Sequence, residues 1–270
     1  MRAVYYMLLA VSVVACQHKQ PSGPDKANSA VMLSDTEVVE QNSEEAPPRA
    51  ADGLFDDFVY SFMRNRQFQK DRIVFPLSNI VDGRDKPVAS EAWKFDPLYA
   101  NQEVYTVIFD GEKSMSAEKD TSLNHVIVEW INLKTKRIKQ YHFHKTEGRW
   151  LLVRLDTHGM NQNENNDFYE FYNSFSSSES FQKSHIRNPF SFKTYDYDNF
   201  QTLEGVLDVT QWPDYRPTLP QGMLTNINYG QDYKDSRKRV LQLCSPSGGM
   251  GCTLTFVKKG KTWMLERLEN

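Results

Sequence analysis

The chain is 270 residues long, carries a formal net charge of −3, and is 39% apolar and 25% charged. This is the composition of an ordinary soluble globular body. The charge is too small for a nucleic-acid partner, and no basic stripe with interleaved aromatics runs through the sequence, so that class is excluded.

At the N-terminus, Arg2 precedes an apolar run from Ala3 to Ala15 that stops at Cys16. The run falls short of the roughly 20 apolar residues a bilayer helix needs. Residues 1–15 are therefore read as a secretory signal peptide. Val13-Val14-Ala15-Cys16 resembles the bacterial lipobox, in which small side chains fit a peptidase groove and the cysteine thiol accepts the lipid, so Cys16 is the expected lipidation site. Residues 16–52, rich in Gln, Ser, Glu, Pro and Ala, cannot bury enough apolar surface to offset the entropy of ordering. They are expected to form a disordered tether with a reach of roughly 30 Å. These features predict a cell-envelope protein held to the membrane by its lipid. Gln17, where an aspartate would favour retention elsewhere, points to the outer membrane, on its periplasmic or its surface face.

The next signal is a repeated phrase: residues 68–77 read FQKDRIVFPL and residues 181–190 read FQKSHIRNPF. The likeness runs without a gap from Phe55–Leu77 to Phe168–Phe190 at an offset of 113 residues, and Phe55, Phe58, Ser61, Phe62, Phe68, Gln69, Lys70, Ile73 and Pro76 all recur. The same offset relates Lys145, Trp150, Leu152, Arg154 and Leu155 to Lys258, Trp263, Leu265, Arg267 and Leu268. Between them, Val104–Gly111 aligns best with Met223–Gly230, at an offset of 119. Two distant segments sharing one offset predict two tandem domains, residues 53–157 and 165–270, joined by a polar linker at 158–164. So short a linker predicts a flat sheet-to-sheet contact between them.

Each copy opens on a helix, because Phe55, Phe58 and Phe62, like Phe168, Phe171 and Phe175, fall three and four apart in one apolar stripe. The FQxxxI segment leads to a proline and an extended stretch. Beyond it the period becomes two: Val126, Val128 and Trp130 share a face, and Tyr141, Phe143 and Trp150 lie on strands that return after a turn near Lys134–Arg137. A helix laid on a curved antiparallel sheet is an α+β architecture. The lipobox, the FxxFxxxF helix, the FQxxxI phrase and the closing WxLxRL strand resemble a family of gut-bacterial lipoproteins, a domain of unknown function. That resemblance implies two tandem cone-shaped domains of the nuclear-transport-factor-2-like, or cystatin-like, fold.

Chemistry-bearing residues are few. Cys244 and Cys252 flank a glycine-rich hairpin loop and form a candidate disulfide in an oxidising compartment, although strand parity puts them on opposite faces unless a bulge intervenes. His125, His142 and His144 fall within reach of one another, but no carboxylate is placed as a fourth ligand, and no metal is assigned. Asp196 and Asp198 lack the alternating ligands and closing glutamate of a calcium loop. With no GxSxG, no SxxK and no Cys–His pair, no catalytic residue and no cofactor is assigned. Trp93, Phe95, Tyr99, Trp212 and Tyr215 occupy the variable middle regions expected to rim the open ends of the cones. With His185, which stands where the first copy has Arg72, they are the candidate ligand-binding residues, suited to flat or sugar-like ligands. Their other reading is as plugs that fill the cones.

The functional expectation is an envelope lipoprotein whose non-catalytic cones bind a small molecule, a glycan or an envelope protein. Two alternatives stand beside it: an enzyme acting in one cone, with His185 or a pocket tyrosine as acid or base, and a purely structural spacer.

Overall fold

The computed structural model describes residues 52–246 and 251–270; the signal segment, Cys16 and the tether before residue 52 lie outside them. The first half builds α1 (Phe55–Phe62), α2 (Arg66–Asp71), β1 (Ile73–Val81), β2 (Arg84–Asp85), β3 (Tyr105–Phe109), a 3-10 helix (Glu112–Lys119), β4 (His125–Asn132), β5 (Arg137–Thr146) and β6 (Arg149–Gly159). The second half repeats the order with α3 (Asn166–Ser177), α4 (Glu179–Ser184), β7 (Ile186–Asp196), β8 (Gln201–Leu207), α5 (Trp212–Tyr215), β9 (Met223–Asn228), β10 (Lys238–Cys244), β11 (Cys252–Lys259) and β12 (Thr262–Glu269). The fold is α+β, with two curved six-stranded sheets and the helices against them.

Local chemistry sets the repeated elements. Asn65 caps α2 by accepting the Phe68 N–H at 2.8 Å, and Ser178 caps α4 by accepting the Phe181 N–H at 3.2 Å, each satisfying a donor the helix leaves free. The β5–β6 hairpin turns at Glu147 and Gly148, whose φ values of 50° and 76° are those a two-residue turn of right-twisted strands requires. The phenylalanine stripe of α1 lies on its sheet: the rings of Phe55, Phe58 and Phe62 stand 5.4, 5.6 and 5.2 Å from that of Phe143. Phe168, Phe171 and Phe175 repeat this around Phe256 at 5.4, 5.7 and 5.3 Å. All eight rings are buried. Each contributes about 1.5–3 kcal/mol by leaving water, so the concave side of either sheet is core.

Two features depart from the sequence reading. Each sheet, expected to be wholly antiparallel, contains one parallel pair, β1 with β6 and β7 with β12. The chain enters through two helices, and its first strand then lies beside the closing strand of the same half. The second departure concerns how the halves meet. The sheets read β2-β1-β6-β5-β4-β9 and β3-β10-β11-β12-β7-β8, so each half lends one strand to the sheet of the other. In β3, Val107 and Phe109 enter the core around α1 while Ile108 enters the core around α3. A strand apolar on both faces is buried on both, and here its faces belong to different cores. The expected flat contact between two sheets is replaced by this exchange, and the segment whose offset slips to 119 is the strand that changes sheet.

Candidate functional site

The sequence-predicted aromatics do not converge on an open cone. Trp212 is fully buried, and its indole N–H donates to Gln182 Oε1 at 2.9 Å. Trp93 is half-buried and donates to Gln69 Oε1 at 3.1 Å. The amide nitrogens of these glutamines reach the ends of the first helices, Gln69 to the Phe62 carbonyl at 3.0 Å and Gln182 to the Phe175 carbonyl at 2.7 Å. The recurring FQ phrase is thus a buried latch that ties the helix end to the middle-region tryptophan. Both ends of the amide are satisfied, as burial demands. Phe95 lies under the Arg66 guanidinium at 5.0 Å, and Tyr215 stands edge-on to Phe192 at 5.0 Å. His185 closes α4 with its ring stacked 3.8 Å from that of Phe181, and its Nδ1 lies 2.9 Å from the Phe181 carbonyl oxygen. Of the six candidates, Tyr99 alone reaches the cleft described below.

The candidate disulfide is corrected by register. Leu243 pairs with Cys252, so Cys244 and Cys252 point to opposite faces and both thiols are free. Burial pushes each up to about 12. The histidines do come together, with His125 opposite His144 across β4 and β5 and its ring 5.9 Å from that of His142. Burial, and then the Arg154 guanidinium, push His142 down to about 3. Among the described residues no three histidine, cysteine or acidic side chains converge as a metal set.

What the sequence missed is a cleft of about 340 Å³ where the two halves meet. It is lined by Asp56, Asp57, Val59, Tyr60 and Met63 from α1 and its end, Tyr99 and Tyr105, and Ile227, Ser245 and Pro246 from the second half. Tyr99 and Tyr105 stack at 4.5 Å. Tyr229 donates its hydroxyl to Asp56 Oδ1 at 2.6 Å, a bond from the second half to the first. Burial raises the Asp56 carboxyl despite that bond, with Asp57 adding to the rise. Glu118, beside it on the 3-10 helix, is pushed up to about 7 by burial and then by the Asp56 charge. Burial also raises Tyr99 and Tyr229, each with Asp56 contributing. Carboxyls that share a half-buried place and shift together mark a candidate site on physical grounds.

The corresponding place in the second half is chemically different. There a cleft of about 440 Å³ is lined by Ser176, Thr218 and Gln221, with Glu179 and Arg216 4.0 Å apart. By the repeat offsets Asp56, Met63 and Tyr99 become Tyr169, Ser176 and Thr218. Its one acid, Glu179, is balanced by Lys183 at 3.2 Å as well as by Arg216, so the acidic, aromatic character is confined to the first cleft. The signal that could have found that cleft is the unlike character of these paired positions.

The curved sheets, the phenylalanine-lined helices and the cleft beside α1 define a nuclear-transport-factor-2-like protein. The chain is 39% identical to an NTF2-like protein from Bacteroides fragilis of known crystal structure, with a TM-score of 0.76 over 82% of this chain and 97% of that one. Residues 34–270 match the family described as a domain of unknown function, DUF4348, and the chain belongs to that family. No curated protein matches it. Among the described residues no helix is long and apolar enough to cross a membrane.

Proposed function

We propose that this chain is a lipid-anchored binding module of the bacterial cell envelope, held to the outer membrane through Cys16. Its ligand seat is the cleft at the junction of the halves. The observation that carries the reading is the placement of Asp56 in that cleft, half-buried, held by Tyr229 and flanked by Asp57 and the stacked pair Tyr99–Tyr105. Carboxylates beside aromatic faces suit an organic cation, whose charge meets the acids while its apolar part lies on the rings. Arg64 already rests 4.5 Å over the Tyr60 ring at the cleft edge. The lipobox at Val13–Cys16 supports the envelope placement. An enzyme acting inside a cone is disfavoured because the concave sides are occupied by their own phenylalanines.

Phenethylammonium and its neutral analogue phenethyl alcohol, titrated into the protein by calorimetry, test the cleft. Saturable binding of the ammonium alone, lost in Asp56→Asn and stronger above pH 7 than at pH 5, is expected. Equal binding of both probes, or binding indifferent to Asp56→Asn, would sink the cationic reading. Labelling with a fatty-acid analogue tests the anchor separately: the label is lost in Cys16→Ser.

A further inference from the structure

Most of the exposed large apolar side chains among the described residues gather on one hairpin. Phe200 is 79% exposed and Val206 66%, and Tyr195, Leu203 and Tyr215 near them are also exposed. Phe200 stands at the β7–β8 turn, and Leu203 and Val206 lie on β8, the outermost strand of its sheet. Edge strands present unpaired backbone groups, and proteins ordinarily blunt them by shortening, charge, proline or cover. The other edges here are managed. β2 is two charged residues, Arg84 and Asp85, followed by Lys86 and Pro87. β3 and β9 close on each other through Thr106 and Thr225. β8, by contrast, runs for seven residues, QTLEGVL, with no lysine, proline or bulge. Its single charge is neutralised, since Glu204 Oε1 lies 3.1 Å from Lys193 Nζ and 3.9 Å from Arg267.

We propose that the chain forms a two-fold dimer by antiparallel pairing of β8 with β8 of a second copy. The residues select the register. An axis through Leu203 sets Leu203 against its twin, Thr202 against Glu204, Gln201 against Gly205, and Phe200 of one copy beside Val206 of the other. Residues opposite one another share a face. Phe200 lies one residue before β8, in the turn at φ 53°, so this register sets the turn residue next to Val206 of the other copy, and these are the two most exposed large apolar side chains among the described residues. Tyr195, which pairs with Thr202 across β7–β8, lies on that same face. An axis one residue on would set Glu204 against Glu204, which like-charge repulsion disfavours, and an axis through Thr202 or Gly205 leaves Val206 or Phe200 uncovered. With its one charge already neutralised within each copy, the strand meets its own kind without net repulsion. The two sheets become one continuous sheet, and the backbone groups of both edges are satisfied.

Analytical ultracentrifugation of the mature chain reads the outcome directly. A monomer–dimer equilibrium with twice the chain mass is expected, shifted fully to monomer by Leu203→Lys and by Val206→Lys. Both side chains are exposed, so the urea midpoint of the monomer should be unchanged, which separates loss of contact from loss of fold. Leu203→Cys, placed on the axis, should give a disulfide-linked dimer on oxidation, while Glu266→Cys, on another strand, should not. A chain that stays monomeric up to about 1 mM, the range of the weakest specific contacts, overturns the proposal and leaves the edge to an extended segment of another protein. A dimer that survives both lysine variants overturns it as well, because the contact must then lie elsewhere.

Discussion

Thr106 and Thr225, which occupy the same position in the two repeats, hydrogen-bond to each other. The Thr225 hydroxyl accepts the Thr106 N–H at 2.7 Å and donates to the Thr106 carbonyl at 2.9 Å. The Thr106 hydroxyl returns both bonds, accepting the Thr225 N–H at 3.0 Å and donating to the Thr225 carbonyl at 2.5 Å. Residues related by the repeat therefore lie across a local two-fold axis, as in an isologous dimer interface fused into one chain. Beside them, Asn226 carries the same junction inward, accepting the Ile108 N–H at 2.9 Å and donating to Glu129 Oε2 at 2.8 Å.

Replacing either threonine by valine leaves a buried N–H and carbonyl without partners at nearly constant volume. Each single variant is expected to lose about 1–3 kcal/mol in urea unfolding. The two hydroxyls serve separate pairs of bonds, so any departure of the double variant from the sum of the singles measures coupling between the pairs, and such a departure is expected if the bonds act together. Strict additivity would mean the four bonds do not act as a unit.

The two latches differ in burial, and their tryptophans should report it. Trp212, sealed behind Gln182, is expected to resist acrylamide quenching, whereas Trp93 on Gln69 is half-buried and should be quenched. Gln182→Leu should cost about 1–3 kcal/mol because it strands a fully buried indole N–H and the Phe175 carbonyl. Gln69→Leu should cost a similar amount: water can reach Trp93, but the change also strands the Phe62 carbonyl and the N–H and carbonyl of Asp96.

Arg239 is buried among neutral acceptors, donating to Asn165 Oδ1 at 2.6 Å and to the carbonyls of Tyr233, Lys238 and Ser236 at 2.8, 2.7 and 3.1 Å. Its ring neighbours Tyr233 and Trp263 lie 4.9 and 5.0 Å away. The first repeat has Val126 at this position. Arg239→Val is expected to destabilise by about 1–3 kcal/mol, because it leaves buried carbonyl acceptors unsatisfied, and to raise hydrogen exchange across residues 229–238. Unchanged exchange there would show that the arginine is not what holds the loop.

Two groups give the stability opposite pH slopes. Glu118 titrates at about 7 in the fold against an ordinary 4.5, so the folded state binds its proton more tightly. The stability this gives is fully present below pH 4.5 and is lost as pH rises through 7. His142, pushed from 6.5 down to about 3, does the reverse: its contribution is present above pH 6.5 and is lost as pH falls toward 3. Melting temperatures of Glu118→Gln should therefore fall less than those of the unchanged protein between pH 5 and 7. His142→Asn should flatten the acid limb, and in the unchanged protein the His142 ring resonances should not titrate down to about pH 5.

The helix stripe was legible because it is a local pattern: three phenylalanines at helical spacing bury together whatever the rest of the chain does. The strand faces of Val126, Val128 and Phe143 followed from alternation for the same reason. The parity that sets Cys244 and Cys252 on opposite faces was legible as well, although the pair read as a candidate disulfide and the thiols are free. The cleft was not legible. Asp56 reads as one more surface acid before a phenylalanine, and nothing nearby in sequence announces Tyr229, which is 173 residues away.

The sequence by itself determined the repeat, the helix-and-sheet content of each half and the apolar side of each element, since these rest on spacing within a few residues. Only the tertiary structure decided where β3 and β9 belong, because an apolar strand that suits two cores satisfies its backbone equally well in either sheet. That exchange brought Thr106 to Thr225 and Asp56 to Tyr229, and so placed the candidate site at the junction of the halves, outside either cone.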